Sequence, residues 1–317
     1  MKKLCVIGSL NTDLVTRMER FPAPGETVRG VDFGIFAGGK GANQAVAAAR
    51  LGGEVLFIGK VGDDHYGADY LALFEREGVS TRGVGIERSA SSGVAVIMID
   101  GRGENTIVVT PGANSAVDVA FLLSKWELLE SFDIFLLQLE IPIETVVEAA
   151  KRLHAAGKTV ILDPAPAAPV PPDLLRSVDY LTPNEHELAV LAGQGGRDFE
   201  SAGAAARTLV SSGGGTVVLK RGAEGAAIVS SDLSVRVPGF PVRAVDTTAA
   251  GDTFNGALGV ALAEGMSLRD AVLFANAAGA LSTTAFGAQS AMPKRAAVMA
   301  LIGGRGGGNH NAPSEQS

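Results

Sequence analysis

Apolar residues fall along this chain in short unbroken runs: Leu4–Gly8, Val55–Val61, Ile134–Leu139, Val160–Leu162, Val217–Leu219 and Ala226–Val229. Runs of this length, rich in Val, Ile and Leu and without a polar residue at every second position, predict strands buried on both faces. Between many of them the period changes to that of a helix. Leu122, Trp126 and Leu129 fall on one helical face, as do Val146, Ala150 and Leu153. An alanine-rich helix is expected from Gln44 to Arg50, and another after Asp252, where Phe254, Leu258 and Leu262 share a face beside Ala261. Buried strands alternating with helices predict an α/β, doubly wound, mainly parallel sheet flanked by helices.

Two stretches break the alternation. Residues 17–36 pass through FPAPGETVRG, whose Pro and Gly mark turns, before an extended stretch from Val28 to Phe36. Residues 93–110 hold VAVIMID and NTIVV on either side of Gly101-Arg102-Gly103, a hairpin with no helix between its strands. Both read as parts of a small antiparallel β-sheet beside the main one, suited to a lid or a subunit contact. One α/β domain is expected over residues 1–302. The Gly-rich, polar tail of residues 303–317, which includes His310, is expected to be disordered.

Composition narrows the class. Of 317 residues, 46% are apolar and the net charge is −7, a globular balance with no Lys/Arg run to engage a nucleic acid. Cys5 is the single cysteine, which excludes internal disulfides and cysteine-based zinc sites. MKKLCVIGSLNTD has too short an apolar stretch for a signal peptide, and no run approaches membrane-spanning length. A cytoplasmic enzyme is the expected class, with no nucleic-acid or membrane partner.

Candidate chemistry gathers at glycine-rich segments. Gly38-Gly39-Lys40-Gly41-Ala42-Asn43 precedes a helix but is not a P-loop, because Gly41 follows Lys40 where Ser or Thr is required. The first strand leads into Gly8-Ser9-Leu10-Asn11-Thr12-Asp13, not G-x-G-x-x-G, which disfavours a nicotinamide-dependent dehydrogenase. By themselves the glycines of 38–41 also fit a tight turn, and Asn11 and Asp13 fit turn or cap positions. In AVDTTAAGDTFNGA, Ala249, Ala250 and Gly251 bare a helix N-terminus whose N–H groups can hold an anion, with the carboxylate of Asp252 beside them. The helix dipole is expected to keep Asp252 ionised. From this segment alone, Asp252 or Asp246 serves as a helix N-cap as readily as a catalytic group.

Taken in order, SLNTD, FPAPGETV, GGKGANQAVAAARLG, GENTIVV, QLE, DPAPA, TPNEHE, KRGAEG and VDTTAAGDTFNGA resemble the ribokinase family of sugar kinases over about residues 3–300. The resemblance implies ATP-dependent phosphorylation of a sugar hydroxyl, the 5-hydroxyl of D-ribose, with Mg²⁺. It implies sugar contacts at Asn11, Asp13, Gly39, Lys40, Gly41, Asn43, Glu140 and Asp252. It implies nucleotide contacts at Asn184, Lys220, Gly222, Gly225, Gly251 and Asn276, and Mg²⁺ organised through water by Glu187. Asp252 is implied as the catalytic base, with an anion hole at Ala249, Ala250 and Gly251. His186, between the two N-x-x-E positions, has no partner at zinc spacing and reads as a solvated helix residue. A monovalent cation, K⁺, is implied at Asp246, Thr248, Ser282, Ala285 and Gly287, and a homodimer is implied through the lid sheet. The chain departs from the family at Ala291, where relatives often carry a serine. Rival readings are a kinase of deoxyribose, fructose, a keto-deoxy sugar acid or a nucleoside, and a non-catalytic sugar-binding protein on the same fold.

Overall fold

Leu4–Ile7 are buried on every side, and they form the strand on which the rest of the sheet is laid (β1). In the computed structural model, which describes residues 2–193 and 199–306, the strands that follow are β2 (Asn11–Met18), β3 (Gly30–Gly38), β4 (Val55–Gly62), β5 (Val79–Glu87), β6 (Gly93–Ile99) and β7 (Asn105–Thr110). Then come β8 (Ile134–Leu137), β9 (Thr159–Leu162), β10 (Tyr180–Leu181), β11 (Thr216–Lys220), β12 (Gly225–Val229) and β13 (Ser234–Pro238). The main sheet runs β13-β12-β11-β10-β9-β8-β1-β4-β5. From β11 to β5 its pairings are parallel, and β12 and β13 close one edge as an antiparallel meander.

Both faces are covered, as strands without polar alternation require. The helices are α1 (Lys40–Arg50), α2 (His65–Glu77), α3 (Val119–Ser124), α4 (Trp126–Leu129), α5 (Ile143–Ala155), α6 (Pro172–Leu175), α7 (Glu185–Ala192), α8 (Phe199–Ser211), α9 (Ala250–Ala263), α10 (Leu268–Ser282) and α11 (Arg295–Gly306). One apolar layer takes Val46, Phe74, Leu258, Phe274 and Val298 from α1, α2, α9, α10 and α11 against Leu4, Val6 and Leu136. The opposite layer takes Leu122, Leu129, Val146, Leu174, Leu188 and Leu209 from α3–α8 against Cys5, Ile7 and Phe135. The side chains of β1 thus alternate between two cores.

The second sheet has the order β3-β2-β6-β7. Each hairpin half is antiparallel, as expected, and the halves join through β2 and β6 in parallel. It starts earlier than the sequence suggests. Asn11–Asp13, expected as turn residues, open β2 and pair with Phe36–Gly38. Helix α1 begins at Lys40, a turn before the predicted Gln44. The single face expected for Leu122, Trp126 and Leu129 is split between α3 and α4 at Lys125. At the far end, α11 carries the chain to Gly306. The rest of the expected tail, with His310, lies outside the described residues.

Candidate active site

At the carboxyl ends of the main-sheet strands a cavity of about 490 Å³ runs between β9, β11 and the N-terminus of α9, within the range of small-molecule sites. Its lining includes the polar or N-terminal groups of Lys40, Asp163, Asn184, Glu187, Lys220, Gly251 and Asp252 and the apolar surface of Phe240, Pro241, Val242, Gly279 and Ala280. Gly222, Gly225 and Asn276 also line it. Asn276 donates from Nδ2 to the carbonyls of Val237 (3.0 Å) and Pro238 (3.4 Å), so its position is set by β13.

Helix α9 begins on an unusual backbone. Its N-cap, Ala249, has φ 59°, a left-handed conformation that costs a non-glycine residue about 1–2 kcal/mol. The Ala250 N–H turns back to the Thr247 carbonyl at 3.2 Å. Gly251 and Asp252 follow in the first turn, where N–H groups have no preceding carbonyl in the helix, and both line the cavity. Gly251 keeps the approach open: Lys220 Nζ is 3.4 Å from the point a Cβ there would occupy. Lys220 in turn pairs with the buried Asp163 at 2.7 Å.

Asp252 is buried in the third position of α9, not at its cap. Its Oδ2 accepts from Asn43 Nδ2 at 2.9 Å and its Oδ1 from Gln44 Nε2 at 3.3 Å. Burial pushes its carboxyl up to about 6; Lys40 opposes this and Asp163 adds to it. The ionisation expected from the helix dipole is therefore opposed by burial. Burial by itself would depress Lys40, but Asp252, Asp163, Glu140 and Glu187 around it hold its ammonium well above the ordinary range.

The remaining sugar-matching residues lie beside this cavity rather than in its lining, toward the second sheet. Glu140 Oε2 accepts from the Lys40 N–H (2.9 Å) and from Ser9 Oγ (2.5 Å), which ties the start of α1 to the segment that follows β8. Asn11 Oδ1 accepts from Asn114 Nδ2 at 2.8 Å. Burial, then Glu140 and Asp252, push Asp13 up to about 7. Asp13, Glu140 and Asp252 thus form one electrostatic group. Gly39 (φ 86°) and Gly41 do more than turn the chain. A Cβ on Gly39 would stand 2.7 Å from the Asn11 nitrogen, and one on Gly41 2.6 Å from the Ser9 nitrogen. Only bare backbone allows α1 to seat against the start of β2.

Asn184 and Glu187 form a capping box on α7. Glu187 Oε2 accepts from the Asn184 N–H (2.7 Å) and Oε1 from its Nδ2 (2.9 Å), while Asn184 Oδ1 accepts from the Glu187 N–H (2.8 Å). His186 is exposed, and among the described residues no cluster of three His, Cys, Asp or Glu could hold a metal unaided. Of the cation-matching residues, Asp246 gathers two: Oδ1 accepts from the Thr248 N–H (2.9 Å) and hydroxyl (2.6 Å), and Oδ2 from the Gly287 N–H (3.0 Å). Ser282 Oγ instead donates back to the Gly279 carbonyl at 2.8 Å, and Ala285 is exposed. Ser290 Oγ donates to the Phe286 carbonyl at 3.1 Å.

Asp163, Gln44, Gln138 and Gln289, all buried, have no role that local sequence pattern marks. The available signal was a polar residue set among buried alanines, as Gln44 is in α1.

A helix N-terminus that opens on a cavity, a buried carboxylate in its first turn and a polar cluster beside the second sheet are the parts that a small-molecule phosphotransferase requires. The description of the pfkB family carbohydrate kinases matches residues 1–295, and the chain belongs to that family. Ribokinase of Bacillus subtilis is 43% identical over 302 residues, covering 95% of this chain and 100% of that protein. The crystal structure of ribokinase from Thermotoga maritima superposes with a TM-score of 0.88 at 39% identity, covering 96% of this chain and 100% of that one. Arabidopsis thaliana ribokinase complexed with ribose and ATP gives a TM-score of 0.86 at 35% identity, over 95% of this chain and 98% of that one.

Proposed function

We infer that this chain transfers the γ-phosphoryl group of ATP to the 5-hydroxyl of D-ribose, giving ribose 5-phosphate and ADP. The observation that carries the reading is the place of Asp252: a carboxylate in the first turn of α9 that lines the cavity and also acts on Asp13 beside Glu140. ATP fits the cavity, with its base among Phe240, Val242, Gly279 and Ala280 and its phosphates toward Lys220 and Gly251. Ribose fits beneath the lid sheet, where Asn11, Asp13, Asn43 and Glu140 offer acceptors and donors to vicinal hydroxyls and Gly39, Lys40 and Gly41 shape the floor. The match to a relative solved with ribose and ATP supports the pair of substrates.

Asp252 takes the proton of the attacking hydroxyl. A base titrating near 6 suits this task close to neutral pH. The N–H groups of Gly251 and Asp252, behind Ala249 and Ala250, face the charge that spreads over the phosphoryl oxygens, and Lys40 and Lys220 add positive charge there. Mg²⁺ fits as an ion that arrives with the nucleotide. The cavity offers carboxylates at Asp163, Glu187 and Asp252 but no closed ligand cage, and Glu187 is already held by Asn184, which suits contact through water. When bound, the ion would neutralise phosphate charge. Phosphorus NMR of the product tests the assignment: a phosphomonoester on C5 is expected, and one on C1 would contradict it.

K⁺ activation belongs to the same reading. Asp246 stitches the 245–248 segment to Gly287, and that segment leads into the α9 N-terminus, so an ion there would stiffen the anion hole and act on kcat. Position 291 lacks a hydroxyl, and that of Ser290 is turned to Phe286. Turnover is expected to rise when KCl replaces a bulky organic cation at equal ionic strength, and to rise further in Ala291→Ser. Indifference of both proteins to K⁺ would remove the site.

A homodimer through the lid sheet completes the reading. Val31, Phe33 and Ile35 alternate on one face of β3, at 76%, 60% and 55% exposure, and Ile35 continues across the register to Leu14, Val96 and Val108. An apolar stripe of this extent is suited to a partner. Asp13 lies on the opposite face, so pairing would leave the sugar side open to the site. Sedimentation is expected to show a dimer that Phe33→Asp dissociates; a monomeric wild type at micromolar concentration would contradict it. No helix among the described residues is long and apolar enough to cross a membrane. The proposed compartment is the cytoplasm; activity that fractionates with membranes would contradict it.

A further inference from the structure

Each oxygen of Asp252 has an amide partner, and the carboxylates orient both amides. Asn43 Oδ1 accepts from Gln289 Nε2 at 3.0 Å, which leaves Asn43 Nδ2 for Asp252. Gln44 Oε1 accepts from Gln138 Nε2 at 2.7 Å, which leaves Gln44 Nε2 for Asp252. Turned end for end, either amide would set a carbonyl against a carboxylate. Gln44 does one thing more. The same Nε2 that reaches Asp252 at 3.3 Å donates to Asp163 Oδ2 at 2.9 Å. An NH₂ group has two hydrogens, one for each carboxylate. The side chain is fully buried, between Ala42 and the run Ala45–Ala48. Burying an amide there is costly unless its hydrogens are used, and two carboxylates use them.

We propose that Gln44 is a positioning residue for phosphoryl transfer: its amide stands between Asp252 and Asp163, donates one hydrogen to each and fixes the orientation of the base. The proposal rests on the reading of Asp252 as the base. Other charged groups bear on Asp252 and its neighbours: Lys40 from α1, Asp163 beyond β9, and Asp13 from β2 with Glu140 beyond it. Lys220 of β11 pairs with Asp163, and Glu187 of α7 acts on Lys40. Gln44 is neutral, so replacing it changes hydrogen bonding and orientation without changing the net charge of the group.

The test is the pH dependence of kcat at saturating ribose and MgATP, in wild type, Gln44→Met and Gln138→Met. Methionine keeps the length of the side chain and removes its donor. In Gln44→Met the acid limb is expected to move up by about one pH unit, the effect of one lost hydrogen bond to a charged group. At neutral pH kcat is expected to fall by about tenfold, with partial recovery at pH 9, and KM for ribose to change by less than about threefold. Gln138→Met touches neither carboxylate but frees the Gln44 amide, so a smaller shift in the same direction is expected. It also serves as the readout if Gln44→Met does not fold. An acid limb that overlays wild type in whichever variants fold overturns the proposal, whatever happens to kcat. Asp252→Asn, measured alongside, separates the two ideas. Normal turnover there sinks the base reading, whereas an inactive Asp252→Asn beside an unmoved Gln44→Met limb sinks only the role of Gln44.

Discussion

Asp252→Asn is expected to lower kcat by about 10²–10⁴, the usual contribution of a positioned general base, while ribose and ATP still bind. The substitution keeps the shape of the side chain in a buried place where shape matters. It cannot keep the chemistry. Both carboxylate oxygens accept from amide NH₂ groups, at 2.9 Å from Asn43 and 3.3 Å from Gln44. An asparagine can accept from one of them and must turn its own NH₂ toward the other. It also has no proton affinity to offer the 5-hydroxyl. Calorimetry for both substrates and turnover by ADP release therefore separate: affinities stay near wild type while kcat collapses. Near-normal turnover would reduce Asp252 to a structural residue of the first turn of α9.

Lys40→Met is expected to lower kcat/KM at neutral pH by about 10²–10³, the range seen when one group stabilising a transition-state anion is removed. Two effects act together. In the proposed reaction the phosphoryl group loses a cation of the cavity lining, and four carboxylates, Asp252, Asp163, Glu140 and Glu187, lose the ammonium they share. The sign of the pH effect follows. Burial raises Asp252 and Lys40 lowers it, so without Lys40 its titration moves further up from about 6. The reaction uses the ionised form, so the acid limb moves to higher pH. Stability without ligands moves the opposite way with pH. A carboxyl whose folded pKa lies above its unfolded value favours the fold while protonated, and that advantage is lost as pH rises through the folded pKa. The melting deficit of Lys40→Met relative to wild type should therefore be larger at pH 8 than at pH 5. A deficit that does not change with pH would show that Lys40 does not face these carboxylates in solution.

Much of the main sheet was legible because its strands are buried on both faces. Leu4–Ile7 and Ile134–Leu137 have no solvent side, so local composition alone marks them. The hairpin at Gly101-Arg102-Gly103 was legible because no helix interrupts it. Asn11–Asp13 misled because Asn and Asp favour turns in isolation, whereas here β3 on one side and β6 on the other hold them extended. The break at Lys125 left no periodic trace, since Leu122 and Leu129 still reach the same core from two short helices. The polar network around Asp252 was the least legible part. Gln44 meets Asp163, Asp252 and Gln138 at separations of 119, 208 and 94 residues. Hydrogen bonds of that reach follow from packing α1 against α9 and the ends of β8 and β9, and no local spacing encodes them.

Transfer to ribose is tested most directly by kcat/KM for ADP release over D-ribose, 2-deoxyribose, fructose, a keto-deoxy sugar acid and nucleosides, at fixed MgATP. If Asn11, Asp13, Asn43 and Glu140 meet the vicinal hydroxyls as proposed, the site should discriminate against a sugar that leaves one of those groups unpaired. The highest value is expected for D-ribose. A preference of about tenfold or more for fructose or 2-deoxyribose would contradict the assignment of ribose, and no ADP release with any sugar, in a protein that still binds ribose, would contradict the kinase itself.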